Sequence, residues 1–523
     1  MMKNLVILFA SKNSSYMFCP DFDEKSAFDL SVYWANELIS NDLAKDLVVF
    51  TDIEDLQNKF ESIKIVYNSQ WNVSTLFQNI NQILTKNEAQ SAIYAFADCP
   101  FLNQEITKKL LDSQYEYQAE YTFADGYPYG FAPEIIDVGT CGILAELSKT
   151  NFAKEGQWHV KKDSIFSFLK LDINSFEIET VLAQTDWRLF RFNFDCSKKE
   201  YFVSCKELWK NAQTEKDIEV LSKISSENPA ILKTVPSYYN IQICDSCTAK
   251  CIYCPYPKCY EEKNKINPSQ AKNQMSFENF CNLVDKIKDF SNQAVINLSL
   301  WGEPFNHPQL LDFIKKVLSY DSLSVFIETD GQKITQSFCD ELKQIVENSA
   351  ERTNGLQKVM IGISLDAATN QTYQKIRNVQ NDIQEVLEKI KMISQVLPDS
   401  VYPQFVRTNY NEEELESFYR FWNGNAIIQK YDDFAHLLPE CKPADLSPLE
   451  RNVCWHLRRD MVILTNGDVP FCKEYVLDGI IGNVFEQDLA EIWKKTDDVV
   501  KEHICQKYNS KGGHCDEYYT FNF

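Results

Sequence analysis

The stretch YNIQICDSCTAKCIYCP, residues 239–255, runs from an apolar strand straight into cysteines spaced CX3CX2C at Cys247, Cys251 and Cys254. Three thiolates at that spacing can wrap three irons of a [4Fe–4S] cubane, leaving the fourth iron open to a ligand that is not protein. Two zinc knuckles, Cys244 with Cys247 and Cys251 with Cys254, are the rival reading. Only three residues separate those pairs, which leaves little room for the usual loop between knuckles. Redox or disulfide use of the thiols is a third alternative.

Outward from this loop, strand and helix alternate. Apolar runs at 239–243, 295–300, 324–328, 359–365, 403–407 and 426–429 read as strands. Helical patterns at 277–290, 309–318, 335–348, 383–396 and 412–422 lie between them, with Ser276 placed to cap the first. Six strands alternating with helices describe an open parallel barrel, a partial (β/α)6, whose chemistry sits at the C-terminal strand ends. Residues 1–212 carry a separate α/β series, with strands at 5–10, 47–51, 63–67 and 92–97 and helices at 26–40 and 104–113. The polar segment 213–236, ending at Pro236, reads as a linker. The barrel then spans 237–436, and a small tail of short strands, turns and spaced cysteines occupies 437–523.

Composition narrows the partners. A net charge of −22 repels phosphate backbones, and no dense Lys/Arg block offsets it, so nucleic acid is not an expected partner. No apolar run approaches the roughly 20 residues of a membrane span. The apolar start, Leu5 to Ala10, is too short for a signal peptide and reads as a buried first strand. Of 17 cysteines, five crowd into 244–259 and five into 441–515, which suits metal ligation in a reduced, cytoplasmic protein better than disulfides.

These motifs together resemble the radical S-adenosylmethionine (SAM) superfamily. The resemblance implies that SAM chelates the open iron and is reductively cleaved to a 5′-deoxyadenosyl radical that abstracts a substrate hydrogen. It makes Cys247, Cys251 and Cys254 the catalytic cluster ligands, places Tyr253 against adenine, and implies a reductant such as flavodoxin or ferredoxin. Leu300-Trp301-Gly302-Glu303-Pro304 is similar to the family's GGE motif, with Trp301 in place of the first glycine. In it Gly302 permits close approach and Glu303 accepts from the methionine ammonium. Glu328-Thr329-Asp330-Gly331 resembles the turn beside the SAM ribose, which assigns Thr329 there. Ser364-Leu365-Asp366-Ala367, followed by Tyr373 and Arg377, is similar to the signature of peptide-modifying members. It implies that Ser364, Asp366 and Arg377 serve SAM; a turn or N-cap role for Asp366 and a surface salt bridge for Arg377 are the plainer readings. Val406 would contact adenine through its backbone.

The tail pattern, Cys454-X12-Gly467-X4-Cys472, reads as a hairpin turning at Asn466-Gly467 that brings two thiols together. With Gly479–Val484 and Leu489–Trp493 it resembles SPASM (twitch-like) domains, which carry auxiliary Fe–S clusters. Cys454, Cys472, Cys505 and Cys515 are the expected ligands of one further [4Fe–4S] cluster, with Cys441 as the substitute for one of them. A zinc-like staple is the alternative for this tail.

Asp98, ending a strand before Pro100, looks like the metal-binding turn of GT-A-like nucleotidyltransferases, although the glycine-rich loop after strand one is missing. A structural turn is the competing role for Asp98. The order of domains is that of spiro-SPASM proteins. That order supplies no reaction; the resemblance of Ser364–Ala367 and of the tail to peptide-modifying SPASM members implies hydrogen abstraction from a peptide or protein side chain. Alternatives are a small molecule such as a nucleotide-linked sugar, or a non-catalytic Fe–S carrier.

Overall fold

The computed structural model describes residues 4–155, 159–184, 186–187, 191, 193–212, 218–228, 231, 233–264, 272–431, 438–443, 454–473 and 479–505. The chain divides into two compact units, Met1–Leu232 and Lys233–Phe523.

In the first unit, β1 (Asn4–Ala10), β2 (Leu47–Thr51), β3 (Lys64–Tyr67), β4 (Ser91–Phe96), β5 (Tyr121–Asp125), β6 (Glu134–Asp137) and β7 (Ile178–Leu182) form one sheet. Their order is β3-β2-β1-β4-β6-β5-β7, parallel from β3 to β4, with β6 antiparallel to both of its neighbours. The strand at the start of the chain is central. Val6, Leu8 and Ala10 feed one core and Leu5, Ile7 and Phe9 the other, so its unbroken apolar run reflects burial on both faces. The helix Ala27–Ser40 starts at a capping box in which Ser26 and Asp29 satisfy each other's backbone N–H groups. The segment expected as a linker contains the helix Ile218–Glu227, whose Leu221 is fully buried in the first unit's core. Leu221 and Ile224, three residues apart, give that polar segment a packing face.

In the second unit, β8 (Tyr238–Ile241), β9 (Ala294–Asn297), β10 (Leu323–Thr329), β11 (Val359–Ser364), β12 (Val401–Arg407), β13 (Ile427–Lys430) and β14 (Asp460–Ile463) make a curled parallel sheet. Its order is β13-β12-β11-β10-β9-β8-β14. Helices follow the strands, and Ser276 caps Phe277–Ser291 by accepting from the Asn279 N–H. Seven strands stand where six were expected. The seventh comes from the tail: Asp460 to Ile463 pair with Tyr238 to Ile241, covering the edge of β8, and Met461 and Ile463 enter the barrel core.

That pairing also corrects the expected hairpin. The turn exists, closed by Leu464 N–H donating to Asp468 O at 2.8 Å and Gly467 N–H to Leu464 O at 2.9 Å. Its arms part, however: β14 joins the barrel, whereas β15 (Asp468–Pro470) pairs antiparallel with β16 (Ile480–Asn483).

Inside the curl, side chains two residues apart on each strand stack in layers. Tyr238, Val295, Phe326 and Met360, with Tyr402 and Ile427, form an apolar plug. The cavity described next opens above it.

Candidate active site

The cysteine loop leaves β8 and is clamped at its root. Asp245 accepts from Asn273 N–H (3.0 Å), Asn273 Nδ2 (2.7 Å) and Tyr260 Oη (2.6 Å). Gly302 lies flush against the same root: with φ +109°, a Cβ there would stand 2.3 Å from the Cys244 carbonyl oxygen. Only glycine allows that approach. The Glu303 N–H donates to Ser246 O at 2.8 Å, and the Cys244 thiol to Glu303 O at 3.0 Å, locking strand end to loop. Trp301, where a glycine was expected, stacks on Tyr256 at 5.7 Å and donates from Nε1 to Lys473 O at 3.2 Å.

Glu303 is held by donors alone. Its Oε1 accepts from Thr329 Oγ1 (2.7 Å) and Phe305 N–H (3.1 Å), and its Oε2 from Asp330 N–H (3.0 Å). Burial, aided by the neighbouring Asp330 charge, lifts its carboxyl to about 7 against those donors. Thr329, expected beside a ribose, thus spends its hydroxyl hydrogen on Glu303.

Asp366 is fully buried, has φ +60°, and does not line the cavity. Its Oδ2 accepts from Tyr253 Oη (2.8 Å) and Arg377 Nη1 (3.1 Å), and its Oδ1 from Val406 N–H (2.8 Å). The role expected for it as a SAM ligand is replaced by a positioning one: it fixes three residues that do face the cavity. Arg377 is buried rather than a surface ion-pair partner. With the Val406 N–H committed to Asp366 and Asn411 Nδ2 donating to Val406 O at 2.9 Å, the Val406 backbone is already engaged on both sides.

Cys247, Cys251, Cys254, Tyr253, Gly302, Glu303, Thr329, Ser364, Arg377 and Val406 all line one cavity of about 210 Å³ at the C-terminal ends of the barrel strands. Burial pushes the Cys247 thiol up to about 12 and raises Cys254 as well, while Arg377 partly offsets the rise at Cys251.

Residues 241–421 match the radical SAM superfamily, and 454–516 match the SPASM iron–sulfur cluster-binding domain. The chain belongs to the radical SAM superfamily. An uncharacterized protein of Treponema pallidum (strain Nichols) is 38% identical over 370 residues, covering 69% of this radical SAM chain and 98% of the relative. Among solved structures, a cytidylyltransferase from Leptospira borgpetersenii is 15% identical, with TM-score 0.37, over 44% of this chain and 97% of its own. SuiB of Streptococcus suis, bound to its precursor peptide SuiA, is 13% identical, with TM-score 0.38, over 67% and 78%. Membership implies a [4Fe–4S] cluster with SAM in the barrel and auxiliary Fe–S ligation in the tail. The residues fit: three thiols share a cavity with a carboxylate held open by neutral donors.

In the tail of this radical SAM protein, Cys454 and Cys472 share a small buried cluster with Leu457, Phe471, Val499 and Val500. Cys505 is exposed at the end of the helix Asp497–Ile504, and Cys515 lies outside the described residues. Cys441, the substitute ligand, packs elsewhere, against Tyr431 and Leu438, with its thiol toward Ile252 O at 3.7 Å. His503 was not singled out from the sequence; it is buried close enough to Cys454 for their charges to interact.

Asp98, in the first unit, is buried and already partnered. Its Oδ2 accepts from Ser14 Oγ at 2.6 Å and Lys162 Nζ at 3.0 Å, and Lys162 also reaches Asp195 Oδ1 at 2.8 Å. An ammonium sits between the two carboxylates where a cation would be needed, which favours the structural role for Asp98.

A second group that sequence reasoning passed over is the polar layer directly above the apolar plug. Glu328 Oε1 accepts from Gln404 Nε2 (2.8 Å) and Gln429 Nε2 (3.2 Å), and Oε2 from Asn297 Nδ2 (3.4 Å). The signal was present: each lies two residues after a plug residue on its strand.

Proposed function

We propose that this radical SAM enzyme is a SPASM-type oxidoreductase that removes hydrogen from a peptide or protein side chain. Cys247, Cys251 and Cys254 would ligate the catalytic cluster. Tyr253, Gly302, Glu303, Thr329, Ser364, Arg377 and Val406 would form the SAM pocket, and Cys454, Cys472, Cys505 and Cys515 would hold the auxiliary cluster. The convergence of the three cysteines and the pocket residues on one cavity carries this reading. The peptide assignment rests on the Ser364-Leu365-Asp366-Ala367 motif and the SPASM match. When bound, cluster and SAM supply one-electron reduction and hydrogen-atom abstraction; a flavodoxin or ferredoxin would deliver the electron.

The chain itself orients. Glu303, immobilised by Thr329 and Asp330, presents a carboxylate to a ligand ammonium. Asp366 locks Tyr253 and Arg377 into the wall, so neither reorganises when a ligand arrives.

Anaerobically reconstituted protein given SAM and dithionite should release 5′-deoxyadenosine, and Cys251→Ala should release none. Absence of that product from the wild type sinks the reading. Iron analysis should give about eight irons per chain, falling to about four in Cys454→Ala.

A further inference from the structure

The polar layer below the cysteine cavity is unfinished. Glu328, Gln404 and Gln429 all line the cavity, and Glu328 has only neutral amide donors around it; no lysine or arginine among the described residues pairs with it. Gln404 is 3% exposed, yet its Oε1 has no hydrogen-bond partner. Turning the amide over would set that oxygen against the Glu328 carboxylate, so Glu328 fixes its orientation. The side chain that carries the orphan oxygen and the Glu328 side chain both line the wall of the same cavity. An uncompensated carboxylate and an orphan acceptor therefore border one space, with the apolar plug beneath it.

We propose that Glu328 and Gln404 bind a cationic nitrogen of the substrate, an ammonium or guanidinium, lowered into the barrel beneath the cysteines. A hydroxyl would satisfy Gln404 but leave the carboxylate without a counter-charge, and an anion would meet Glu328 directly. A cation with several N–H donors satisfies both groups at once. Arg377, the cavity's own guanidinium, is already committed to Asp366 and cannot supply the charge. Glu303 lies against the cysteine loop through its N–H bond to Ser246 O and is held by Thr329 and Asp330. Glu328 is the carboxylate left for the substrate. This inference rests on the radical SAM reading of the cavity and narrows its substrate to an amine-bearing class, either a lysine or arginine side chain or an amino sugar.

The test is equilibrium binding to the reconstituted, SAM-loaded full chain. N-acetyl-lysine amide is compared with N-acetyl-norleucine amide, and glucosamine with glucose. One charged member should bind at least about tenfold tighter than its uncharged analogue, as a charge-assisted hydrogen bond implies. Which pair shows the preference tells side chain from amino sugar. Glu328→Gln, nearly isosteric, should erase the preference, and Gly362→Ala, whose Cβ would press on the Gln404 oxygen at 3.3 Å, should weaken binding by displacing that oxygen. Equal binding within both pairs, no binding of either amine at millimolar concentration, or a preference that survives Glu328→Gln overturns the proposal. Wild-type 5′-deoxyadenosine formation is measured alongside: its loss strikes the radical SAM reading, whereas its presence without an amine preference strikes only this one.

Discussion

Each unit sets carboxylates near the ends of parallel strands, and the two units treat them differently. In the first, Asp98 and Asp195 share the ammonium of Lys162, with the Phe96 and Tyr129 rings 5.6 and 5.1 Å from it. In the barrel, Glu303 and Glu328 are held by hydroxyl, backbone and amide donors and, among the described residues, by no cation. A charge neutralised from within completes the fold. A charge aligned only by neutral dipoles keeps its main electrostatic gain for whatever binds.

The sharpest way to break this contrast is Lys162→Ala. It leaves two buried carboxylates facing each other and should cost the first unit about 3–5 kcal/mol. Burial alone would depress the Lys162 ammonium, but Asp195 and Asp98 outweigh it and raise it well above the ordinary lysine value. Hydrogen exchange of the full chain should show early opening around β1 and β4 with the barrel unaffected. Equal loss of protection in both units would undo the comparison.

Glu303 has a pH signature of the same sign in a much lower window. Its carboxyl titrates near 4.5 when unfolded and near 7 when folded and ligand-free. The folded state therefore holds an extra proton between those values, and stability falls as pH rises from about 4.5 to about 7. The span corresponds to about 3 kcal/mol. Glu134 in the first unit is also raised to about 7 by burial, so the measurement that isolates Glu303 is the difference between wild type and Glu303→Gln. SAM affinity should rise over the same window in the wild type and stay flat in the variant.

Which of these features were legible in the sequence follows from their range. Strands β1 and β8 to β13 were readable because runs of β-branched and aromatic residues fall between helical repeats. The cavity motifs were readable because each sits within a few residues of a strand end. The Lys162–Asp98 pair spans 64 positions and carries no local pattern. β14 is a four-residue strand whose place beside β8 depends on an edge that only the curled sheet exposes. Asp366 looked like a ligand from its position in a motif; its φ of +60° and inward side chain are tertiary facts. The polar layer around Glu328 needed knowledge of which strand positions face inward, since Asn297 and Gln404 alone read as ordinary strand polar residues.

Gly302→Ala probes how tightly the open site is built. The new methyl would collide with the Cys244 carbonyl at 2.3 Å in a backbone region unfavourable to alanine, costing about 1–3 kcal/mol of strain. The loop should relieve this by moving, so iron bound at the barrel site should fall while the tail's share persists. Full iron content and unchanged 5′-deoxyadenosine formation would mean that the close approach is dispensable.

The gentlest comparison removes one neutral donor from each constellation. Ser14→Ala deletes a 2.6 Å hydrogen bond to Asp98 but leaves Lys162 in place, so the loss should stay near 1.5 kcal/mol, the size of one bond to a charged group. Gln429→Ala deletes the weaker of two amide bonds to Glu328 Oε1, where no cation among the described residues stands behind it. If internal neutralisation is what separates the units, occupancy should separate the variants. An amine bound at Glu328 should restore the stability lost in Gln429→Ala, and should do nothing for Ser14→Ala. Denaturation of both variants with and without N-acetyl-lysine amide reads this directly. Rescue of both or of neither would show that the two acidic sites do not differ in the way their partners suggest.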